Sequence, residues 1–250
     1  MNNDIFKLYE SDLLRQTTGD TLRPGGVYLT DLGVNFCNFP PDARVLDVGC
    51  GSGATVERLV SRYQLQAIGL DPSEVLLERG RTKNPDLNLI RGVGEDLPFP
   101  ADRMDGIFAE CALSLMEGLD QALKEIFRVL KPGGWFVVND VYARNPDGLE
   151  SLQELKLESC IRRALPKESL MDKLTERGFK IVHWCDHTNL LTQLTVNLIM
   201  THGSMTEFWL KSTSCSGSVD PNLAQAAIKK AKMGYFQMIA KKDTVTVREG

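Results

Sequence analysis

Hydrophobic and polar positions along this chain follow two rhythms, and the first 140 residues carry both. Apolar runs at 44–48, 66–71, 88–91, 106–109 and 135–139 have the length of strands and end in turn-forming residues. Between them, apolar positions spaced three and four apart predict helices over 54–60, 73–81 and 119–130. Pro72 or Ser73 stands at the start of the second. Strands alternating with helices predict a parallel sheet covered on both faces. Ahead of this unit, Ile5, Phe6, Leu8, Tyr9, Leu13 and Leu14 predict a helix over 4–18. Arg23-Pro24-Gly25-Gly26 breaks the chain, and a second helix is predicted from about Val27 to Phe36. Lys131-Pro132-Gly133-Gly134 reads as the turn that ends the 119–130 helix.

After Asp147 the rhythm changes. Helices are predicted over 149–163 and 167–177, and a sixth strand over 179–184. The stretch 188–231 reads as mostly helical, interrupted by a Ser/Thr/Gly-rich loop at 212–218. A last strand over 235–240 precedes a polar tail, 241–250. The expectation is one doubly wound α/β domain over 1–250. It has a helical cap (1–40), a core sheet (43–187), an inserted helical lid (188–231) and a last strand (232–241).

Composition narrows the class. The 250 residues are 42% hydrophobic and 25% charged, enough to bury a sizeable core. A net charge of -4 argues against a nucleic-acid partner, and Lys229, Lys230 and Lys232 read as a solvated helix face. The 6 cysteines include no CxxC pair, so no metal site is expected and reduced thiols are. Met1-Asn2-Asn3-Asp4 opens no signal peptide, and no apolar run reaches the ~18 residues that cross a bilayer. A cytoplasmic monomer or homodimer without membrane contact is expected.

Candidate chemistry centres on Asp47-Val48-Gly49-Cys50-Gly51-Ser52-Gly53, between the first strand and its helix. Glycines let a backbone turn tightly and approach a ligand, and the helix N-terminus behind them favours anions. Gly49 to Ala54 also fits the GxGxxA form of dinucleotide-binding proteins. Asp71 lies 18 residues beyond Gly53 at the end of the next strand, placed to accept hydrogen bonds from both hydroxyls of a ribose. An adenosine-containing ligand follows in either case.

DVGCGSG resembles motif I of the class I S-adenosylmethionine (SAM)-dependent methyltransferases. Gly94 to Asp105 is similar to the loop those enzymes place around adenine, and Leu123 to Gly134 to the helix and turn before their fifth strand. Over about 43–140 the chain resembles the small-molecule, type 11-like members. The resemblance implies a mostly parallel, seven-stranded Rossmann-like sheet with a reversed last strand. It also implies SAM as cofactor and a small-molecule methyl acceptor. By the same resemblance Asp47 lies near the aminoacyl end of SAM, with Gly49, Cys50, Gly51 and Gly53 in the turn and Asp71 and Pro72 at the ribose. Gly94, Glu95 and Asp96 lie at the adenine, Glu110 ends the fourth strand, and Arg23 pairs with the methionine carboxylate. Val93 stands where members often carry an acid, which leaves the adenine amino group to Glu95, Asp96 or backbone at Gly94 and Glu95.

Methyl transfer from a sulfonium is an in-line displacement that asks mainly for positioning and exclusion of water. No catalytic residue is assigned. Candidates to meet the acceptor are Tyr9, Tyr28, Cys111, Asp140, Tyr142, His202 and Trp209, with Asn139, Arg144 and Asn197 beside them. Cys111, Cys160 and Cys215 raise a thiol-held acceptor, as in arsenite methyltransferases of this fold. Two alternatives stand: an NAD(P)-linked oxidoreductase, which leaves Asp47 and the later landmarks unexplained, and a non-catalytic SAM-binding protein.

Overall fold

The computed structural model describes residues 7–155, 159–213 and 220–243. Ile5 and Phe6 of the expected first helix, Cys215, most of the 212–218 loop and the tail beyond 243 lie outside the described residues.

Eight strands form one sheet: β1 (Arg44–Val48), β2 (Gln66–Asp71), β3 (Leu89–Arg91), β4 (Met104–Glu110), β5 (Leu130–Ala143), β6 (Leu165–Pro166), β7 (Phe179–Asp186) and β8 (Met233–Lys242). Their order is β3-β2-β1-β4-β5-β8-β7, and every pairing is parallel except those of β8, which runs antiparallel to both β5 and β7. This is the expected sheet with its reversed last strand. It carries one addition, two-residue β6, which pairs with Tyr142 and Ala143 of β5 beyond the end of β4. Lys131-Pro132-Gly133-Gly134 does not separate helix from strand as predicted. Leu130 already pairs with Met104, the next pair is Gly106↔Trp135, and the four residues between bulge out within β5.

The helices are α1 (Lys7–Glu10), α2 (Asp12–Thr18), α3 (Tyr28–Cys37), α4 (Ala54–Tyr63), α5 (Glu74–Lys83), α6 (Leu119–Val129), α7 (Leu149–Glu154), α8 (Lys167–Glu176), α9 (Thr188–His202), α10 (Met205–Thr213) and α11 (Pro221–Ala231). The predicted helix over 4–18 is two helices. The Ser11 side chain accepts from the Leu13 N–H and caps α2, so α1 stops there.

Alternation along the strands assigns the two faces. Leu46, Ile107, Phe136 and Val138 pack with Leu123 and Ile126 of α6 and Leu174 of α8. Val45, Phe108, Val137 and Ile239 pack on the other face with Val34 of α3, Val56 and Leu59 of α4 and Leu77 of α5. Two residues further along the same strands, on this second face, come Asp47, Glu110, Asn139 and Gln237. All four are buried. A polar layer thus sits on an apolar one at the carboxyl end of the sheet, where strand order reverses between β1 and β4. The N-terminal helices and the 188–231 helices share a cluster that includes Leu8, Tyr9, Leu14, Leu76, Leu198, Phe208, Trp209 and Ala224.

Candidate active site

A cleft opens above this polar layer. It encloses about 1100 Å³ of empty space, counting its mouth. Its floor is the turn after β1. Gly49, Gly51 and Gly53 hold φ of 78°, 56° and 82°, a left-handed run that side chains disfavour. A Cβ on Gly49 would lie 2.5 Å from that of Ala112, so this glycine also permits the close approach of the β4 loop. The turn is fastened to β2: Gly49 and Cys50 donate to the Leu70 carbonyl, and the Gly51 N–H donates to Asp71 Oδ2 at 2.8 Å.

Asp71 lines the cleft and also accepts the Ser73 N–H on Oδ1 at 2.8 Å. Each oxygen keeps a second lone pair for a ligand hydroxyl. Burial lifts its carboxyl to about 6, against the lowering effect of those two N–H groups. Asp47 lies just beneath the lining, 2% exposed. No hydrogen bond or ion pair engages its carboxylate among the described residues. Burial, then the neighbouring Glu110, push its pKa well up, and Arg23 pulls the other way.

Glu110 is the opposite case. Arg23 Nη2 lies 2.8 Å from its Oε2, both side chains almost wholly buried. Thr30 Oγ1 donates to it at 2.9 Å, Asn139 Nδ2 donates at 2.6 Å, and Thr55 Oγ1 makes a further short bond. Gln237 continues the network to Asn139 and to the Leu29 carbonyl. Arg23, proposed from sequence for a ligand carboxylate, lines the cleft but spends Nη2 on Glu110, Thr30 and Thr55, and Nε on the Gly26 carbonyl.

At the far end lie Val93, Gly94 and Glu95. Glu95 Oε1 accepts the Gly118 N–H at 3.1 Å. A Cβ on Gly94 would lie 2.8 Å from Met116 Cε, so the missing side chain makes room for that methionine, which also lines the cleft.

The cleft thus gathers Arg23, Gly49, Cys50, Gly51, Asp71, Pro72, Gly94, Glu95, Glu110, Tyr9 and Cys111 of the sequence-derived set. Others lie outside its lining, each for a visible reason. Gly53 packs under the turn against Leu89, and Asp96 faces solvent. Asp140 and Tyr142 alternate with Asn139 and point from the opposite face of β5. There Asp140 accepts the Ser114 N–H and hydroxyl, and Tyr142 bonds Asp186 and meets the Trp184 ring edge-on. Tyr28 is 52% exposed because α3 buries its Leu29, Thr30, Gly33, Val34 and Cys37 face. His202 Nε2 is 3.1 Å from the Leu13 carbonyl, and Trp209 is packed in the cluster of helices. Asn197 is exposed, and Arg144 Nε donates to the Lys232 carbonyl.

Of the three thiols, Cys111 lines the cleft and lies 3.4 Å from the Tyr235 hydroxyl. The Cys160 N–H donates to the Tyr9 hydroxyl at 3.1 Å. Cys215 lies outside the described residues. Thr30, Thr55 and Gln237 had not been singled out. Their signal was a polar residue on an apolar stripe: Thr30 and Thr55 on helix faces, Gln237 within Tyr-Phe-Gln-Met-Ile-Ala. Leu22, Leu115 and Met116, also in the lining, carry no such mark.

Residues 46–138 match the family described as Methyltransferase domain. A demethylmenaquinone methyltransferase from Symbiobacterium thermophilum is 38% identical over 110 residues, 40% of this chain and 43% of that protein. Over residues 46–138 the chain is similar to the methyltransferases. It spans under half the length of that relative and 28% of another curated relative it matches. Solved structures repeat the methyltransferase fold. The [4+2]-cyclase SpnF superposes with a TM-score of 0.73 at 24% identity, over 96% of this chain and 94% of that one. Phosphoethanolamine N-methyltransferase 2 of Haemonchus contortus, solved in complex with S-adenosyl-L-methionine, gives 0.68 at 17% identity, over 93% and 56%. At these identities the likeness is one of fold. Among the described residues no helix is long and apolar enough to cross a membrane, and no group of His, Cys, Asp and Glu is placed to hold a metal ion.

Proposed function

We propose that this protein transfers the methyl group of SAM to a small-molecule acceptor held in the same cleft. The observation that carries this reading is the pair of carboxylates flanking the glycine turn, Asp47 beneath and Asp71 beside, neither with a cation against it among the described residues. A dinucleotide would lay its diphosphate on this turn, between two buried acids, and like charges at such range repel strongly. SAM brings a sulfonium and an ammonium there instead. In this reading Asp47 takes the ammonium and Asp71 the ribose hydroxyls. The open N-terminus of α4 suits the methionine carboxylate. Adenine lies against Gly94, Leu115 and Met116, with Glu95 fastening the loop rather than reading the base.

SAM supplies an electrophilic methyl group already activated by its positive charge. The chain's part is to hold donor and acceptor in line and to exclude water. Tyr9, Leu22 and Arg23 reach over the turn from the N-terminal segment, and we assign that segment and the 188–231 helices to the cover of a single domain. The described cysteines are free thiols, which suits the reducing cytoplasm.

Titration calorimetry with SAM, S-adenosylhomocysteine and NAD tests the reading. SAM and S-adenosylhomocysteine should bind and NAD should not; NAD binding alone would reverse it. Fold does not fix reaction, as the cyclase neighbour illustrates. Loss of radiolabelled methyl from bound SAM to an organic acceptor separates an enzyme from a binder.

A further inference from the structure

The methyltransferase reading of the cleft leaves the acceptor open, and the wall opposite the glycine turn bears on it. Three properties of that wall act together. First, Arg23 is the one cationic side chain among the described lining residues, and its charge is met by Glu110 at 2.8 Å. An acceptor that enters as a carboxylate or phosphate finds no free counter-charge and faces Asp71 and Glu95.

Second, every lining acid already has a partner in the chain or is assigned to the cofactor. Glu110 already accepts from Thr30, Thr55 and Asn139 besides Arg23. Asp20 is paired with Arg15 and Lys83, and Glu117 with Arg163. Asp71 and Glu95 are fastened to backbone N–H groups at the proposed cofactor positions. Burial pushes the Tyr9 phenol and the Cys111 thiol well up, so both stay protonated. No histidine stands among the described lining residues.

Third, the remaining lining is apolar, with Leu22, Leu76, Ala112, Leu115 and Met116.

We infer that the acceptor is an amine on an apolar body, attacking as its uncharged form. An alkylamine is mostly ammonium near neutral pH; it gives that proton to water before it enters the apolar cleft, and the lone pair so freed needs no base during attack. The N–C bond forms as the S–C bond breaks, and the bonding pair stays on sulfur to give neutral S-adenosylhomocysteine. The positive charge moves from sulfur to nitrogen. The extra N–H proton then leaves to water, which no positioned residue has to arrange. An alcohol must lose its proton during attack. An alkene must lose one from carbon afterwards. Either would need a base this wall does not offer.

The test uses the full-length protein with SAM and shape-matched sets of amine, alcohol and carboxylate on butyl, phenylethyl and decyl bodies. Methylation is followed by mass spectrometry and SAM binding by calorimetry on the same sample. The amine of at least one set should be methylated with kcat/KM at least ~10-fold above its alcohol and carboxylate partners, a preference worth one factor of ten or more in transition-state binding. Equal or better turnover of an alcohol or carboxylate overturns the inference, as does failure to methylate any amine while SAM binds. If SAM itself does not bind, the methyltransferase reading falls first. A second arm uses Glu110→Gln, which unmasks Arg23. The carboxylate-to-amine ratio should rise at least ~10-fold, and an unchanged ratio in a folded variant counts against the inference. The ranking on the unaltered protein stands whether or not that variant folds.

Discussion

On the floor of the cleft, Asp47 and Asp71 lie beneath and beside the glycine turn, and among the described residues neither is held in an ion pair. On the wall, Glu110 is enclosed by Arg23, Thr30, Thr55 and Asn139. Both regions bury carboxylates at the ends of paired strands, β2 and β1 on one side and β4 on the other, yet they hold them by opposite means. The wall is closed on itself: Glu110 and Arg23 meet each other, and three polar side chains complete the shell around the carboxylate. The floor is different: burial lifts both carboxyls toward the neutral form, and an incoming cation or hydroxyl pair would favour the ionised one. Changes to the wall should therefore fall on folding, and changes to the floor on binding.

The largest effect expected is on the wall. Arg23→Ala leaves Glu110 buried without its cation and should destabilise the fold by about 3–5 kcal/mol, read by urea unfolding. Arg23→Met combined with Glu110→Gln should recover much of that loss. A single variant as stable as the parent would break the contrast.

Next is the floor. Asp71→Ala should weaken SAM binding by roughly 1–3 kcal/mol in calorimetry, through two ribose hydroxyls left without acceptors. Unchanged affinity in a folded protein would remove the ribose assignment.

pH sharpens the same point. Burial first of all lifts Asp71 and Asp140 to about 6, and Asp47 rises the same way. A carboxyl raised in the folded state adds stability below its unfolded pKa, and that contribution is lost as pH rises through the folded value. The ligand-free protein should lose thermal stability as pH rises from about 4 to about 6 and level off above that. SAM affinity should climb as Asp71 ionises around pH 6, then level off. Affinity flat through that pH would mean that Asp71 does not bind as a carboxylate.

Smaller again is Gly94→Ala, whose Cβ meets the flexible end of Met116. We expect SAM affinity to fall by under ~1 kcal/mol with stability nearly unchanged. Tyr28→Ala, at an exposed position, should alter neither by more than ~0.5 kcal/mol in the same two assays.

The floor was readable from sequence because its parts are local. Val45 to Gly53 is one continuous strand and turn, and Asp71 follows at the end of the next strand. The wall was not readable, because Arg23 and Glu110 stand far apart in the chain and meet only when α3, α4, β4 and β5 are assembled. Asp140 shows the limit within a single strand. Proximity along the chain suggested a place beside Asn139, but alternation sends its side chain to the other face, where Ser114 takes it. The two-helix start is a matter of capping: periodicity alone carries a helix through Ser11, and only the bond to Leu13 N–H shows where it ends. Lys131 to Gly134 reads as a turn, but register with β4 draws it into one strand, where the four residues form a bulge.

The position of β8 has a consequence for synthesis. It lies between β5 and β7, both of which leave the ribosome before it. Until residues 233–242 emerge, β5 and β7 each present an unpaired edge, the kind of surface that invites mispairing with other chains. Gln237 arrives on the same strand and completes the bonds to Asn139 and Leu29. The buried network beside the cleft is therefore finished only once that strand is made. A chain stalled or clipped before that strand lacks both the closed sheet and the full wall, and a protease or chaperone can distinguish it from the finished protein by its open edges.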